Sequence, residues 1–374
     1  MPTDSRPFRF AIVGCGTIHD MHLRTIQTLG PEEAVLVAVC DESPERAKAA
    51  GEKNGVPYYT DLAEMLEREE FDALNVCTPS GLHAKHGIMG ANAGRNVLCE
   101  KPIDVSLEAA DALIEACDRN QVKLVVISQH RYSAGMQALR HWQEAGKLGN
   151  LCYAEAVTKW YRTQAYYDSG GWRGTWELDG GGALMNQGVH FVDQLRWIMG
   201  PPRSVAATMA TRAHERIEVE DVVSATIEFE NGAVGTLMAS TALFPGFQQA
   251  MEVYGTNGTV IVEHNQVKHA QFTTGNEKQG IWEMEIPAPL VQNYQWQEVA
   301  ESGGTSVEDA GAGSFDPRAI GGDGHLAQFR DLIASVREDR TPFVNGREAR
   351  NALELIVGVY RAAKTGERVH FPLK

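Results

Sequence analysis

The segment FRFAIVGCGTIH, residues 8–19, joins an apolar run directly to a glycine-rich turn. The run Phe8–Val13 predicts a buried strand, and the residues after the turn predict the start of a helix. Gly14 permits a tight turn and Gly16 lets the backbone approach an anion closely, because glycine has no side chain. A diphosphate there would meet the free N–H groups at the N-terminus of the helix. The third position of the pattern holds His19 rather than a small residue, so a purely structural turn is the alternative.

Short apolar runs alternate with longer amphipathic segments over the first third of the chain. Five of these runs predict strands of a buried parallel sheet: Phe8–Val13, Ala34–Cys40, Ala73–Cys77, Asn96–Cys99 and Lys123–Ile127. One helix is predicted from Ser43-Pro44 to Gly55, and another from Ser106 to about Asn120. Because such alternation produces parallel strands joined by right-handed crossovers, residues 1–128 are expected to form a doubly wound α/β domain.

The pattern changes after residue 129, where β-like segments with alternating polarity begin. Five are predicted: Leu151–Arg162, Ser204–Ala213, Asp221–Glu230, Ala233–Leu243 and Met251–Tyr254. The pairs Asn231-Gly232 and Asn257-Gly258 predict hairpins with type I′ turns, in which both central residues have positive φ. Residues 129–374 are therefore expected to form an α+β domain with a mostly antiparallel sheet, closed by helices at 325–338 and 348–365. The glycine-rich segment 303–324 is predicted to be a long mobile loop, which is either a lid or a connection without a role of its own.

Length and charge restrict the class of protein. A chain of 374 residues with 43% hydrophobic residues can form roughly two domains of 100–200 residues. The formal net charge of −15 argues against nucleic acid or an anionic membrane surface as the main partner. No apolar run reaches the roughly 18 residues of a membrane span, and the N-terminal residues show no signal-peptide pattern.

The cysteines indicate a reducing compartment. They lie at positions 15, 40, 77, 99, 117 and 152, mostly in apolar strand-like segments, and none forms a Cys-x-x-Cys pair. Reduced, buried thiols of a cytoplasmic protein are therefore expected. No metal site is predicted.

Polar residues follow the predicted strands at the carboxyl edge, where open α/β sheets bind ligands. Asp41 ends the second strand, where a carboxylate can accept hydrogen bonds from an adenosine ribose. A carboxylate there would repel a 2′-phosphate, and no arginine follows until Arg46, so NAD is favoured over NADP. A solvated acid at a strand end is the alternative. Residues 78–80 follow the third strand at the same edge.

Two further segments carry residues typical of acid–base chemistry. Lys101, in the tripeptide Glu100-Lys101-Pro102, follows the fourth strand, where burial and positive neighbours can lower the pKa of an amine. A surface lysine is the alternative. In the second segment, three glycines at 180–182 precede a helical pattern on which Asn186, His190 and Asp193 share one face. The amide and the carboxylate could fix the tautomer of the imidazole, although such groups also satisfy one another in ordinary helices.

Aromatic residues are dense between these two segments. Six Trp and Tyr residues lie within 17 positions: Trp160, Tyr161, Tyr166, Tyr167, Trp172 and Trp176. Arg162 and Arg173 are interleaved with them. Aromatic faces with hydrogen-bonding groups suit the C–H faces and hydroxyls of a sugar or cyclitol, whereas core or subunit packing is the alternative.

Several segments together resemble the Gfo/Idh/MocA oxidoreductases in their order and spacing: GCGTIHDMH, VCD, CTPSGLH, EKP, GGGALMNQGVHFVD and the ending TPFVNGREARNALELIVGVYRAAKTG. The resemblance spans nearly the whole chain. It implies a Rossmann domain, a second domain with a large, open, largely antiparallel sheet, and a homodimer or homotetramer formed across that sheet. It also implies an NAD(P)-dependent dehydrogenase or reductase that acts on a sugar, a sugar derivative or an inositol.

By position, the resemblance makes Lys101 the active-site lysine and His190 the catalytic histidine. Relatives often carry an aspartate one turn before that histidine, where this chain has Asn186. Since an amide cannot take a proton, Asn186 is expected to bind or orient substrate, and Asp193 to support His190. The other predicted substrate-binding residues are Tyr161, Arg162, Trp172, Arg173 and His325. The predicted cofactor-binding residues are Gly14, Gly16, Thr17, Ile18, Asp41, Thr78, Pro79, Ser80, His83, Glu100, Lys101, Gln129, Trp172 and Arg173.

The resulting hypothesis is hydride transfer between NAD and a secondary alcohol of a sugar or cyclitol. His190 would remove the hydroxyl proton while Lys101 stabilises the developing alkoxide through a charge-assisted hydrogen bond. Two alternatives stay open. One is an NADPH-dependent reductase of a keto sugar, and the other is a cofactor-binding regulatory protein without turnover.

Overall fold

The structure, a computed structural model, describes residues 6–247, 249–274, 291–292 and 322–373. These residues divide into two compact units. The first unit contains the chain up to Gln129, Gly170–Gly181 and Gly322–Leu353. The second contains His130–Ser169, the described part of Gly182–Gly321, and the residues from Glu354 onward. Each unit therefore gathers separated stretches of chain, whereas the predicted domains, 1–128 and 129–374, are contiguous.

The first unit is built on a six-stranded parallel sheet. Its strands are β1 (Phe8–Val13), β2 (Ala34–Cys40), β3 (Tyr58–Tyr59), β4 (Ala73–Val76), β5 (Asn96–Cys99) and β6 (Leu124–Val126). They lie in the order β3-β2-β1-β4-β5-β6, and each neighbouring pair is parallel. The strand order reverses beside β1, so the ligand crevice of such a sheet lies at the carboxyl ends of β1 and β4. The predicted doubly wound Rossmann sheet is confirmed.

Two helices, the second and the fifth along the chain, begin and end at the predicted signals, and the two predicted closing helices each begin two residues earlier than predicted. In chain order they are α1 (His19–Leu29), α2 (Pro44–Asn54), α3 (Leu62–Arg68), α4 (His83–Asn92), α5 (Leu107–Arg119), α6 (Ala134–Glu144), α7 (Gln164–Asp168), α8 (Val189–Met199), α9 (Asp323–Arg337) and α10 (Gly346–Thr365). The side chains of Ser43 and Ser106 cap α2 and α5 by accepting backbone N–H groups. Gly55, with φ +67°, ends α2. In the core of the first unit, Phe329 of α9 packs against Phe10 of β1, with ring centroids 5.1 Å apart.

The second unit is built on a nine-stranded, mostly antiparallel sheet. Its strands are β7 (Leu151–Lys159), β8 (Pro202–Ala210), β9 (Val222–Phe229), β10 (Val234–Ser240), β11 (Gln249–Gly255), β12 (Gly258–Glu263), β13 (Gln266–Phe272), β14 (Val291–Gln292) and β15 (Val369–His370). They lie in the order β14-β13-β12-β11-β7-β10-β9-β8-β15. The pairing of β7 with β10 is parallel. The predicted sheet is thus confirmed, with β12, β13, β14 and β15 added to the predicted strands.

Both predicted hairpins form, but the type I′ turns predicted for them are wrong. Asn231-Gly232 joins β9 to β10, and only the glycine has a positive φ, +88°. The turn begins one residue earlier than predicted, because the N–H of Gly232 donates to the carbonyl of Phe229. At Asn257-Gly258, between β11 and β12, neither φ is positive. Two consecutive positive φ values, 47° and 65°, occur instead at His264-Asn265 between β12 and β13, since asparagine tolerates the left-handed region.

The cysteines are free thiols, but they are not all buried as predicted. Cys152 is exposed and Cys15 is half-buried. Cys152 lies near the start of β7, two residues before the first buried residue of that strand, Ala154. Within the described residues, no helix combines the length and the apolarity that crossing a bilayer requires. The predicted loop at 303–324 lies outside the described residues, apart from its last three: Gly322 precedes α9, and Asp323 and Gly324 already belong to that helix.

Candidate active site

The glycine turn after β1 has the geometry of a diphosphate-binding turn. Gly14 has φ +93°, and a Cβ atom there would lie 2.6 Å from the backbone carbonyl of Cys77. At Gly16 a Cβ atom would meet nothing within 4 Å, so the backbone faces open space. Gly14 is therefore required by the packing of β1 against the loop after β4, and Gly16 leaves room for a ligand at the start of α1. His19 begins that helix, buried, in the third position.

Asp41, at the end of β2, is buried beside this turn. Its carboxylate accepts the backbone N–H groups of Cys15, at 2.7 Å, and Ser43, at 2.9 Å. The guanidinium of Arg46 donates to the same carboxylate at 2.8 and 3.0 Å. Burial alone would raise the pKa of Asp41, but the bonds from Arg46, Ser43 and Cys15 hold it below its usual range. The sequence predicted the carboxylate but not the arginine that folds back onto it.

His83 ties together two loops at the carboxyl edge of the sheet. Its ring nitrogens lie 2.8 Å from the carbonyl oxygen of Thr78 and 2.7 Å from that of Pro102. Ser80 is buried in the same loop as Thr78. His83 was predicted to bind cofactor; the structure places its buried ring between two backbone carbonyls.

Glu100, after β5, lies in the interior of the first unit. One carboxylate oxygen is 2.9 Å from Nε2 of His22 and 3.5 Å from Nε2 of His325, and the other accepts the N–H of Lys101 at 3.1 Å. Although burial would raise it, the pKa of Glu100 is well below its usual range because both imidazoles face the carboxylate. Glu100, predicted to bind cofactor, and His325, predicted to bind substrate, thus meet each other below the surface of the unit.

The other predicted residues of the first unit lie near the start of α9 or in the segment 170–181. Lys101 is half-buried at the end of β5. The guanidinium of Arg173 lies 4.5 Å from the ring centroid of Trp172. Gln129 packs against Gly324, where a Cβ atom would be 2.5 Å from the carbonyl of Gln129. The side-chain oxygen of Gln129 is buried without a partner among the described residues, which leaves one acceptor for a ligand.

In the second unit, the predicted helix around Asn186 and His190 begins with a π-helical turn. Residues Ala183–Gly188 are π-helical and α8 starts at Val189. The sequence predicted one continuous helix, so Asn186 lies in a wider turn than predicted, whereas His190 and Asp193 both lie in α8. Such π-turns are frequent at functional sites.

The carboxylate of Glu220 holds the start of the π-turn. It accepts the backbone N–H groups of Gly182 and Leu184, each at 2.8 Å, and the hydroxyl of Tyr360 at 3.0 Å. That hydroxyl in turn accepts the N–H of Met185 at 3.1 Å. Burial raises the pKa of Glu220 to about 7, although these hydrogen bonds favour the ionised form. Neither Glu220 nor Tyr360 was found from the sequence, since neither lies near the glycines in the chain.

His130 is the second imidazole beside His190. The two ring centroids lie 4.5 Å apart at an interplanar angle of 69°. Nδ1 of His130 is 2.9 Å from the side-chain oxygen of Asn265, in the His264-Asn265 turn. The rings of His130 and His190 therefore pack edge to face, and the turn between β12 and β13 holds His130 in place. No pattern in the sequence indicates His130, because its partners lie far away along the chain.

Asp193, predicted to support His190, forms a buried ion pair. Arg131 donates to its two carboxylate oxygens at 2.8 and 2.6 Å. The same guanidinium lies 5.2 Å from the ring centroid of Trp197. A buried carboxylate requires a partner of opposite charge, and Arg131 compensates the charge of Asp193.

Tyr161 and Arg162 follow β7. The guanidinium of Arg162 is buried and lies 5.0 Å from the ring of Trp160 and 5.6 Å from that of Tyr166. Tyr161 is half-buried and its ring meets that of Phe244 edge-on. The aromatic segment therefore contributes to both units, with Trp172 in the first and these residues in the second.

Two family profiles match the chain. The profile described as the oxidoreductase family with an NAD-binding Rossmann fold matches residues 8–128, and that of the GFO/IDH/MocA C-terminal domain matches residues 136–261. D-glucoside 3-dehydrogenase of Escherichia coli is 31% identical over 67% of this chain and 74% of its own length. D-apiose dehydrogenase of Paraburkholderia graminis is 25% identical over 98% of this chain and 90% of its own length.

Solved structures match over the whole chain. The WlbA dehydrogenase of Bordetella pertussis, solved with NADH and UDP-GlcNAcA, has a TM-score of 0.80 at 33% identity. The match covers 99% of this chain and 100% of that chain. The WlbA dehydrogenase of Chromobacterium violaceum, solved with the same two molecules, has a TM-score of 0.83 at 33% identity and covers 100% of this chain and 98% of that chain.

Proposed function

The chain belongs to the GFO/IDH/MocA family of oxidoreductases, and from this membership we propose that it moves a hydride between NAD and a secondary alcohol of a sugar derivative. The family includes dehydrogenases of glucosides, inositol and apiose. The observation that carries the proposal is the glycine turn with a buried carboxylate beside it. Gly14 cannot bear a side chain, Gly16 faces open space, and the carboxylate of Asp41 lies at the adjacent strand end.

These residues fit a dinucleotide. The backbone at Gly16 and the start of α1 would hold the diphosphate, and Asp41 would accept hydrogen bonds from the adenosine ribose. The unpartnered side-chain oxygen of Gln129 offers a further acceptor. When bound, NAD supplies the nicotinamide carbon that takes the hydride.

His190 and Lys101 would handle the proton and the charge on the substrate oxygen. His190 takes the proton of the reacting hydroxyl as a general base. Lys101 donates a charge-assisted hydrogen bond to the same oxygen as negative charge develops on it. Asn186 orients the substrate, since an amide can donate and accept hydrogen bonds but cannot take the proton. His130 keeps the imidazole of His190 in one orientation by packing against it.

A nucleotide-linked sugar acid is the first substrate class to test. Both WlbA structures, which match essentially the whole chain at 33% identity, were solved with UDP-GlcNAcA. A panel of neutral monosaccharides, inositols and UDP-GlcNAcA with NAD, followed by absorbance of the reduced nicotinamide, tests the proposal. Growth of that absorbance with one member supports it, and silence across the panel with both NAD and NADP contradicts it.

A second candidate is an NADPH-dependent reductase of a keto sugar. Arg46 favours it, because a guanidinium at the adenosine ribose can pair with a 2′-phosphate. The reaction is the reverse of the first proposal, so the same residues would serve it: His190 would then give the proton that the new hydroxyl needs.

Substitution of Lys101 by alanine tests its proposed role. Lys101→Ala should lower kcat by about 10²–10⁴-fold, because a charge-assisted hydrogen bond to the alkoxide is lost, while the Kd for NADH changes little. Lys85→Ala, which removes an exposed lysine of α4, is the matched control. If Lys101→Ala keeps its turnover, Lys101 has no part in the mechanism.

We further propose a homodimer or homotetramer that works in the cytoplasm. The family resemblance supports the oligomer, and the six free thiols support a reducing compartment. Light scattering coupled to size-exclusion chromatography measures the oligomeric state. A melting temperature that dithiothreitol does not change agrees with reduced thiols, as expected in the cytoplasm.

A further inference from the structure

The tripeptide Glu100-Lys101-Pro102 is held at both ends by buried histidines. We propose that His325 and His83 are positioning residues. They hold the backbone of Lys101 in place and thereby set the point from which its side chain extends. The inference deepens the proposed function, since it rests on the proposed role of Lys101. The groups that carry it all lie in the first unit and are contributed by α1, α4, α9 and the loop after β5.

The first end of the tripeptide is fixed through the carboxylate of Glu100. One oxygen accepts the N–H of Lys101 at 3.1 Å, so the side chain of Glu100 fixes the peptide that follows it. The other oxygen is 2.9 Å from Nε2 of His22. Glu100 is 4% exposed and His22 is fully buried, so water cannot replace the hydrogen bond between these two side chains without rearrangement.

Asn75 sets the tautomer of His22. Its side-chain N–H donates to Nδ1 of His22 at 3.1 Å, so the ring proton lies on Nε2 and points to Glu100. Burial lowers the pKa of His22, so the neutral ring is the donor. The carboxylate of Glu100 is therefore ionised and is held by a neutral imidazole.

His325 is the second imidazole beside the Glu100 oxygen that contacts His22. It lies in the first turn of α9 and is 1% exposed, with Nε2 at 3.5 Å from Glu100 and its ring edge-on to His22 at 6.0 Å. Neither Nδ1 nor Nε2 of His325 has a hydrogen-bond partner among the described residues, so its contact with Glu100 at 3.5 Å is electrostatic. Among the described residues, the ring of His325 therefore faces both the carboxylate of Glu100 and the ring of His22.

Hydrogen bonds account for this cluster better than a metal ion does. His22, Glu100 and His325 each offer a ligand atom, and these atoms lie within 4.8 Å of one another. A metal would need a lone pair on Nε2 of His22, but the bond from Asn75 leaves the proton on that nitrogen. Measuring the metal content of the purified protein therefore distinguishes a hydrogen-bonded cluster from a metal site.

The second end of the tripeptide is fixed by His83. Its Nδ1 is 2.7 Å from the carbonyl oxygen of Pro102, and its Nε2 is 2.8 Å from that of Thr78. Carbonyls only accept hydrogen bonds, and burial lowers the pKa of His83, so the neutral ring donates to one of the two carbonyls and packs against the other. His83 thereby links the loop of the lysine to the loop after β4.

A fixed backbone matters at Lys101 because its amine sits at the end of a flexible stem with a choice of rotamers. A reacting group that is displaced by about 1 Å can cost about 10²-fold in rate. Freeing the peptide at Lys101 should therefore lower turnover without weakening dinucleotide binding, since the glycine turn and Asp41 are not touched.

The test compares His325→Leu with His325→Asn and with Gln328→Leu. Asparagine keeps a donor for Glu100, whereas leucine does not. Gln328 is the matched control: it is buried on the same helix and bonds to Ser128 and Val126 rather than to a residue of the tripeptide. Hydrogen exchange of the peptide that contains Lys101, kcat, KM and the Kd for NADH are measured for each variant.

His325→Leu should speed exchange at the amide of Lys101 by at least 10-fold and lower kcat by 10–100-fold. KM and the Kd for NADH should stay within about 3-fold, and His325→Asn should restore most of both losses. His83→Leu should have the same effect as His325→Leu, because it frees the other end of the tripeptide. Gln328→Leu should lower the melting temperature but leave exchange at Lys101 and kcat per NADH-binding site unchanged.

Three results would overturn the inference: unchanged exchange and kcat in His325→Leu, faster exchange without loss of kcat, or equal effects in Gln328→Leu. Stoichiometric metal in the purified protein that is lost in His325→Leu would also overturn it. Exchange needs no substrate, so it still tests the inference if the wild-type protein turns over no sugar. That absence of turnover would count against the proposed function alone.

Discussion

At the level of single residues, Arg46 bears most directly on the choice of cofactor. Its guanidinium donates two hydrogen bonds to Asp41, the carboxylate proposed to hold the adenosine ribose. Asp41 alone would exclude a 2′-phosphate by charge repulsion, whereas the pair is neutral and offers a cation at the same place. The discrimination against NADP therefore depends on both residues.

Arg46→Ala should strengthen the preference for NAD. Removing the cation leaves the carboxylate unpaired, so the ratio of the Kd for NADPH to that for NADH should rise about 10-fold, or about 1.4 kcal/mol. Fluorescence titration with the two reduced cofactors measures this ratio without a substrate. Arg46→Lys, which keeps the charge, is the control. If the ratio of the two Kd values is unchanged in Arg46→Ala, Arg46 does not contribute to the choice between the two cofactors.

At the level of elements, the π-turn depends on one carboxylate. Glu220 accepts the N–H groups of Gly182 and Leu184, and Tyr360 accepts that of Met185, so the start of the segment is bonded from outside the helix. Gly182 is required there, because a Cβ atom would lie 1.7 Å from the carbonyl oxygen of Glu220. The wide turn leads directly into the helix that carries His190.

Glu220→Gln should change how stability depends on pH. With a pKa raised from 4.5 to about 7, the native state binds more protons than the unfolded state between these values. The contribution of Glu220 to stability therefore falls as the pH rises through this window, by about 3 kcal/mol at most. Urea midpoints at pH 5 and pH 8 should show the wild type losing stability relative to Glu220→Gln. A difference that is the same at both pH values would contradict the raised pKa.

At the level of the whole molecule, the two compact units should respond differently to cofactor. The glycine turn, Asp41 and Gln129 all lie in the first unit, which gathers three separate stretches of the chain. A ligand that binds only the folded form of this unit stabilises it by mass action, whatever the second unit does.

NADH at 100 times its Kd should stabilise the first unit by about 2.7 kcal/mol. Amides of β1 and β4 that exchange through opening of this unit should slow by about 100-fold. Amides of the hairpin β9–β10 in the second unit should change less than about 3-fold. Hydrogen exchange with and without NADH measures both, and Asp41→Ala serves as a weak-binding control. Equal slowing in the two units would contradict a cofactor site confined to the first.

Local patterns determined the architecture of this protein. Alternating apolar and amphipathic segments predicted five of the six strands of the parallel sheet, because each strand and each helix must bury an apolar surface. Ser43 and Gly55 marked the ends of α2, since capping depends only on neighbouring backbone groups. The turn Gly14–Gly16 and the carboxylate of Asp41 were predicted for the same reason: strand, turn and helix follow one another directly.

The partners of the buried polar groups were decided only by the tertiary structure. His22, Glu100 and His325 meet although they are far apart in the chain, as do Gly182 and Glu220. Hydrogen bonds between residues so far apart depend on which elements pack together. For each buried polar group, many other polar residues of the chain could serve as the partner. A buried carboxylate must find a donor, but only the fold determines which residue supplies it.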